Sequence, residues 1–493
     1  MTRAPDHDYI QSYEQAAAGL TRDPGNRALQ HQAVLALARA GALDFAREEY
    51  ERFGLKDVRR DEDIAGLGAR LDKDSFLRGG AGARDYASRS AALYEAAFAE
   101  TGGYYSGINA ATMALMAGLP DATVERRARA IRAALPDLTK ANPQDRYYMR
   151  ATLAESLLLS GDVSEAAEAL RSAFHFDPLN YAAHATTLKQ FHMIAQKRGR
   201  DAGWLTDFSP PRAVHFAGHI FGDDTDEDGL AIALSDIIQA RDIGFGYGAL
   251  AAGADILMAE ALIEEGVELH VVLPAGKDVF AAKSVTPFGA KWAARFDACL
   301  DAASSVQIVP GLPAWPDPRA NRFAGRIAMG RAMMRADMLR APAGQLLIYH
   351  EAAAGSYTGA HASDWPLKDA QFILPLPEYK AKPAAKAPPE LDCNFTIYEA
   401  AGEAESVAAQ NIGAALKALQ SKGGAAGITA GLAGAPRDDA LGEALRAAAK
   451  PGQILLSETA ACLLTYAGTP GAACLYAGQI AGGARAYSAV LSG

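Results

Sequence analysis

Through residues 1–200 apolar residues recur at i, i+3 and i+4, broken at Asp-Pro and Gly-Asp dipeptides, which is the spacing of stacked amphipathic helices. The clearest unit is LAESLLLSGDVSEAAEALRSAFHFDPLN. It places a turn at Gly161 and Asp162, small residues at Ala166 and Ala173 where two helices must approach closely, and a stop at Pro178. ALARAGALDFAREEYERFGL repeats the plan with Gly41, Ala46 and Tyr50, and Asp23-Pro24 ends the helix before it. Such units predict an all-α solenoid, with a plain helical bundle as the alternative, because Ala-rich periodicity fits both.

The pattern changes after RGRDAGWLTDFSPP, whose two prolines cannot continue a helix. Apolar strands are predicted at Ala213 to Ala217, Val267 to Leu273, Ser305 to Val309, Gln345 to Tyr349 and Gln371 to Leu376, with helices between them. This alternation predicts a doubly wound parallel α/β (Rossmann-like) domain over residues 212–377. EYKAKPAAKAPPE cannot form a core and predicts a linker at 379–389. Residues 390–493 alternate again. FTIYEAA predicts a strand, a helix is expected from Glu403 to Leu419, AAGITAGLAG predicts a strand, and a second helix lies near Asp439 to Ala448. The whole predicts a small α+β domain.

Composition narrows the partners. The 493 residues carry a formal charge of -10 with no long basic run, so nucleic acid and anionic membranes are not expected to bind. No window approaches the roughly 18 uninterrupted apolar residues of a membrane span, and MTRAPDHDYIQSYEQ lacks the apolar core of a secretory signal. A cytoplasmic location is expected. Four dispersed cysteines and ten histidines show no metal-ligand spacing, so no metal site is expected.

Candidate chemistry gathers between Arg212 and Pro274. The first strand ends at Gly218 and His219, and GYGALAAGAD, with Gly246, Gly248 and Gly253, predicts a glycine-rich turn that opens a helix carrying Asp255 and Glu260. Small residues let a backbone reach phosphate or ribose. Glu260 in the apolar run ILMAEALI predicts either a cleft carboxylate able to act as nucleophile or base, or a solvated stripe. Asp255 fits a helix cap or a ribose contact. In the helical region, GGYYSGINAATMALMAGLP sets Tyr104, Tyr105 and Asn109 before a helix expected from Ala110 to Met116. Free N–H groups there attract anions or polar ligands, unless Asn109 is only a cap.

Three resemblances extend this. The helical units follow the tetratricopeptide plan of about 34 residues per hairpin, and YYSGINAAT is similar to the signature of sensor-type tetratricopeptide domains in bacterial signalling proteins. A similar domain occurs in the central regulatory region of the apoptosis signal-regulating kinases, and the resemblance implies sensing of a ligand or protein partner. The middle stretch, with AGH, GALAAGADILMAEAL, HVVLP and KSVTPFGAKWAARFDACL, resembles the nucleotide-binding family of DNA-processing and lysine-decarboxylase-like proteins and the nucleoside deoxyribosyltransferases. That resemblance implies nucleotide binding and cleavage of an N-glycosidic bond by Glu260 with Asp255. It implies ligand contacts from Gly218, His219, Gly246, Gly248, Gly253, Ser284, Arg295, Glu351 and Gly359, with Trp292 and Phe296 in the same block. Ala360 stands where the family pattern has threonine. PGQILLSETAACLLT and LYAGQIAGGARAYSAVL look like the end of a class III adenylate or guanylate cyclase domain. Ile397 replaces a metal-binding aspartate and SKGGAAGITAG shortens the hairpin for the second, so a degenerate module kept for dimerisation or sensing is implied rather than an active cyclase.

The expected protein is a cytoplasmic sensor that binds a nucleotide or NAD-like ligand, needs no cofactor, takes a protein partner on its repeats and forms homo-oligomers. The alternative is a non-catalytic scaffold with an inactive cyclase-like module.

Overall fold

The structure is a computed structural model that describes residues 8–138, 141, 143–221, 225–309, 319–350, 355–376, 389–399 and 402–491. The expected linker at 379–389 lies almost wholly outside the described residues, as does Glu351.

The helical region runs α1 (Tyr9–Arg22), α2 (Arg27–Arg39), α3 (Leu43–Arg52), α4 (Glu62–Arg78) and α5 (Ala83–Thr101). It continues through α6 (Tyr104–Ala117), α7 (Asp121–Ala134), α8 (Pro143–Ser160), α9 (Val163–Phe176) and α10 (Tyr181–Lys197). Side chains start several of these helices. Asp8, Asn26 and Asp61 each accept from a backbone N–H three residues on. Gly161 takes φ +97° between α8 and α9, and Ala166 and Ala173 are fully buried where α9 packs.

One expectation is corrected here. Tyr104, Tyr105 and Asn109 lie within α6 rather than before it. The helix starts at Tyr104 because Glu62 of α4 lies against Gly103 and accepts from Ser106 N–H. Gly107, where a side chain would meet Ile131 and Phe98 at 2.8 and 2.9 Å, serves a close helix crossing instead of ending a loop.

The middle region contains β1 (Arg212–Gly218), α11 (Glu227–Ala240), β2 (Ile243–Gly248), α12 (Ala254–Glu264), β3 (Glu268–Leu273), α13 (Lys277–Ser284) and α14 (Ala290–Ala302). β4 (Ser305–Ile308), α15 (Arg319–Leu339), β5 (Ala343–Tyr349), α16 (Tyr357–Asp364) and β6 (Gln371–Pro375) follow. Its six strands are all parallel in the order β4-β3-β2-β1-β5-β6. Val214, Phe216, Leu269 and Val271 pack with α12 and α14 on one face, while Ala213, Phe245, Tyr247 and Val272 pack with α15 on the other. Gly246 and Gly248, expected in a turn, belong to buried strand β2. A side chain at Gly246 would meet Leu262 at 2.7 Å and one at Gly248 the Phe216 carbonyl at 2.6 Å, so packing selects glycine against its weak strand propensity.

The last region holds β7 (Cys393–Glu399), β8 (Glu405–Ala408), α17 (Ile412–Lys422), β9 (Ala426–Leu432) and α18 (Asp439–Ala448). It ends with β10 (Ile454–Ser457), α19 (Glu458–Tyr466), β11 (Ala472–Gln479) and β12 (Arg485–Leu491). Its mixed sheet has the order β11-β12-β10-β9-β7-β8. The helix expected from Glu403 begins only at Ile412. Residues 405–408 instead pair with β7 as an edge strand, because the sheet offers a partner row that outweighs local helix preference.

These regions join in a ring. α15 crosses α19 so closely that a side chain at Gly330 would meet the Cys462 carbonyl oxygen at 2.2 Å. Tyr181 of α10 packs edge-on against Phe245. At the other end of the repeats, the Ala40 carbonyl accepts from Gln453 Nε2 (2.9 Å) and Ser488 Oγ (2.5 Å), both buried. Asp8 accepts from Gln479 N–H at 3.0 Å, and Ile10 and Ala40 join Leu445, Leu455, Ala477 and Ala486 in one apolar cluster. Among the described residues no helix is long and apolar enough to cross a membrane.

Candidate functional site

Strand order reverses between β1 and β5, and in open parallel sheets ligands bind beyond the carboxyl ends of the strands at that reversal. The polar groups there converge. Asp255, in the first turn of α12, accepts from Gly218 N–H with Oδ1 (2.7 Å) and from Ala251 N–H with Oδ2 (3.2 Å). Its carboxyl is pushed up to about 7 by burial, partly offset by those two bonds. Thr358 Oγ1 donates to the Gly218 carbonyl at 2.8 Å. His350 N–H donates to His219 Nε2 at 3.1 Å, and the His219 ring stacks on Tyr349 with centroids 5.4 Å apart. Burial holds His219 down to about 4, so its imidazole is neutral near pH 7.

The glycines at this edge serve the chain itself. A side chain at Gly218 would meet Ala254 Cβ at 2.2 Å. One at Gly253, where φ is +91°, would meet Phe221 N at 2.5 Å. Ala254 N–H donates to the His219 carbonyl and Ala252 N–H to that of Ser284, so the start of α12 is wired to the β1 and α13 ends. Gly359 N–H is bonded to Ser356 Oγ, the cap of α16.

Glu260 stands more than a turn further along α12 and faces α14. Arg295 donates to both of its carboxylate oxygens, at 2.7 and 2.5 Å, and to Glu227 at 2.6 Å, while its guanidinium lies 4.3 Å over Trp292. Trp292 and Phe296 are core residues beneath. The structure thus gathers Gly218, His219, Gly253, Asp255 and Gly359 at one edge and sets Glu260 with Arg295 apart from them. Because this pair is about one-quarter exposed, Glu260→Gln is expected to cost under about 1 kcal/mol in chemical denaturation; a loss of several kcal/mol would contradict that.

Sequence pattern does not single out His350, Tyr349 or Thr358 for this edge. Thr358 was legible as the threonine one place before Gly359 in YTGAH, displaced from the expected Ala360 position.

In the repeats, the start of α6 already holds an anion, since Glu62 of α4 accepts from Ser106 N–H at 3.0 Å. Asn109 is no cap. Its Oδ1 accepts from Lys73 Nζ (2.7 Å), which also bonds Gln190 (2.8 Å), and Gln190 and Thr112 both donate to Glu155. This buried network ties α4, α6, α8 and α10, and burial raises the Glu155 carboxyl above its usual range. Tyr105 is 44% exposed, placed for outside contact.

The architecture defines a helical repeat protein joined to a parallel-sheet α/β region. Residues 7–114 match the family described as Tetratricopeptide Repeats-Sensor, which supports a sensor or protein-interaction role for that part. No curated protein matches the chain. Among solved structures, a mutant O-GlcNAc transferase from Thermobaculum terrenum is similar at 12% identity, covering 74% of this chain and 76% of its own. At a TM-score of 0.18 that likeness carries no argument.

Proposed function

We propose that the protein is a signalling sensor whose helical repeats take a protein partner and whose α/β region binds a nucleotide- or nucleoside-type ligand at the β1/β5 reversal. The observation that carries the binding reading is the convergence of Asp255, His219, Thr358 and the His350 backbone at that edge. Neutral His219, Thr358 and the Asp255 carboxyl fix the β1, α12 and β5 ends around that edge, and an edge so held suits the mixed polarity of a ribose or base.

The reading is binding without turnover. Glycosidic cleavage by Glu260 would need its carboxylate free, and Arg295 already neutralises it on the α14 side of the helix. NAD, AMP and GMP titrated into the full chain should raise its thermal midpoint, by about 2.7 kcal/mol of stabilisation at a hundredfold excess over Kd. Failure of all three to bind would overturn the proposal, and release of free base from NAD would overturn the absence of turnover.

A further inference from the structure

The C-terminal sheet changes character along the face that α18 covers. Near α18 the packing is dense. A side chain at Gly427 would meet the Gly442 carbonyl at 2.5 Å, and one at Gly442 would meet the Tyr398 ring at 2.1 Å. The next rungs pair Thr396 with Thr429 and Ser406, then Asn394 with Gly431. Together with Ser457 and Thr459 they line a cleft of about 130 Å³.

This lining is mixed, with the hydroxyls set deep among Ala430, Leu432, Pro436 and Leu441. Thr396, Thr429 and Thr459 are only 5%, 6% and 2% exposed. The hydroxyls of Thr396 and Thr459 and the amide of Asn394 make no side-chain hydrogen bond among the described residues. Their hydroxyl oxygens are open to the cleft rather than sealed beneath it, so an occupant can meet their donors and acceptors. Above Gly431 and Gly434 the space is open, with no atom within 4 Å of where a side chain would begin.

Charge selects the class of occupant. Arg437 at the rim is 3.3 Å from Asp439, and Asp438 beside it accepts from Leu441 N–H. One cation against two carboxylates does not attract an anion. The volume equals about four waters at roughly 30 Å³ each, the size of a five-carbon polyol. We propose that this cleft binds a small neutral polyhydroxylated molecule of the pentose or polyol class, whose hydroxyls both donate and accept as those of Thr396 and Thr459 do.

The site is separate from the β1/β5 edge and does not depend on the reading given for it. Xylitol and D-ribose, titrated into the full chain and followed by ligand-observed NMR, are expected to bind saturably. Thr396→Ser should keep that binding, while Thr396→Val should weaken it at least about tenfold. Gly431→Leu, which enters open space without a clash, should abolish it while leaving the circular dichroism unchanged, and so covers the case in which Thr396→Val fails to fold. Absence of saturable binding up to about 10 mM, equal binding by Gly431→Leu, or a preference for inorganic phosphate over both polyols would each overturn the proposal.

Discussion

Asp255→Asn is expected to be the less stable protein below about pH 4, where the wild-type carboxyl is protonated in both states, and the more stable one by about 1–3 kcal/mol at about pH 8. The wild-type carboxyl titrates at about 7 in the folded chain and at about 3.9 when unfolded, so the folded state holds the extra proton across that window. Stability from this group is therefore full at the acid end and declines as pH rises, by about 1.4 kcal/mol per unit and about 4 kcal/mol in all. The neutral amide has no such slope. Its carbonyl keeps one of the two backbone bonds but turns an N–H₂ toward the other donor, at a cost of about 1–3 kcal/mol. His215, His219 and His361, all held low by burial, give a slope of opposite sign, lost as pH falls below about 6.5. They are common to both chains and cancel in the difference. Unfolding free energies of the two proteins at several pH values, or exchange of the Gly218 and Ala251 amides, would test this. A gap that does not change with pH would refute it.

Gly330→Ala should separate the α/β region from the C-terminal region. The added carbon would lie 2.2, 2.7 and 2.9 Å from the O, C and Cα atoms of Cys462, all backbone, so no side chain can turn aside. The two helices must part, and the buried contacts of Ala328, Ala332, Cys462 and Leu463 loosen with them. Overpacking of this kind costs about 1–3 kcal/mol, and more where backbone is struck. Faster amide exchange throughout α19, with β1 and β2 less affected, is the expected signature. Gly276→Ala, where a side chain meets nothing within 4 Å, serves as the neutral control. If both variants exchange alike, α15 and α19 do not meet in backbone contact at Gly330.

Much of the framework was legible because it rests on period and composition. Apolar runs such as VELHVVLP mark strands covered on both faces, and Gly161 with Ala166 and Ala173 marks a helical hairpin. What could not be read depends on neighbours remote in sequence. IGFGYG has poor strand propensity, and only Leu262 and Phe216 explain its glycines. Residues 405–408 become a strand because β7 is beside them. At the site, Gly218, Gly253 and Asp255 were visible as residue types, but their partners are backbone amides and carbonyls, which carry no side-chain signal. Glu260 stood out as a charge in an apolar run, yet its meaning lies in Arg295, 35 residues away.

The seam at Ala40 sets an order of events during synthesis. Its two donors, Gln453 and Ser488, follow it by 413 and 448 residues. At about 5–20 residues per second, the first helices wait roughly 20–90 s on the ribosome before these donors exist. Through that interval Ile10 and the Ala40 carbonyl are open to water or a chaperone, although the rest of their hairpin is already packed. The ring can therefore close only after translation has passed β12, and a stall or cleavage upstream of it leaves an open arc with an unsatisfied edge.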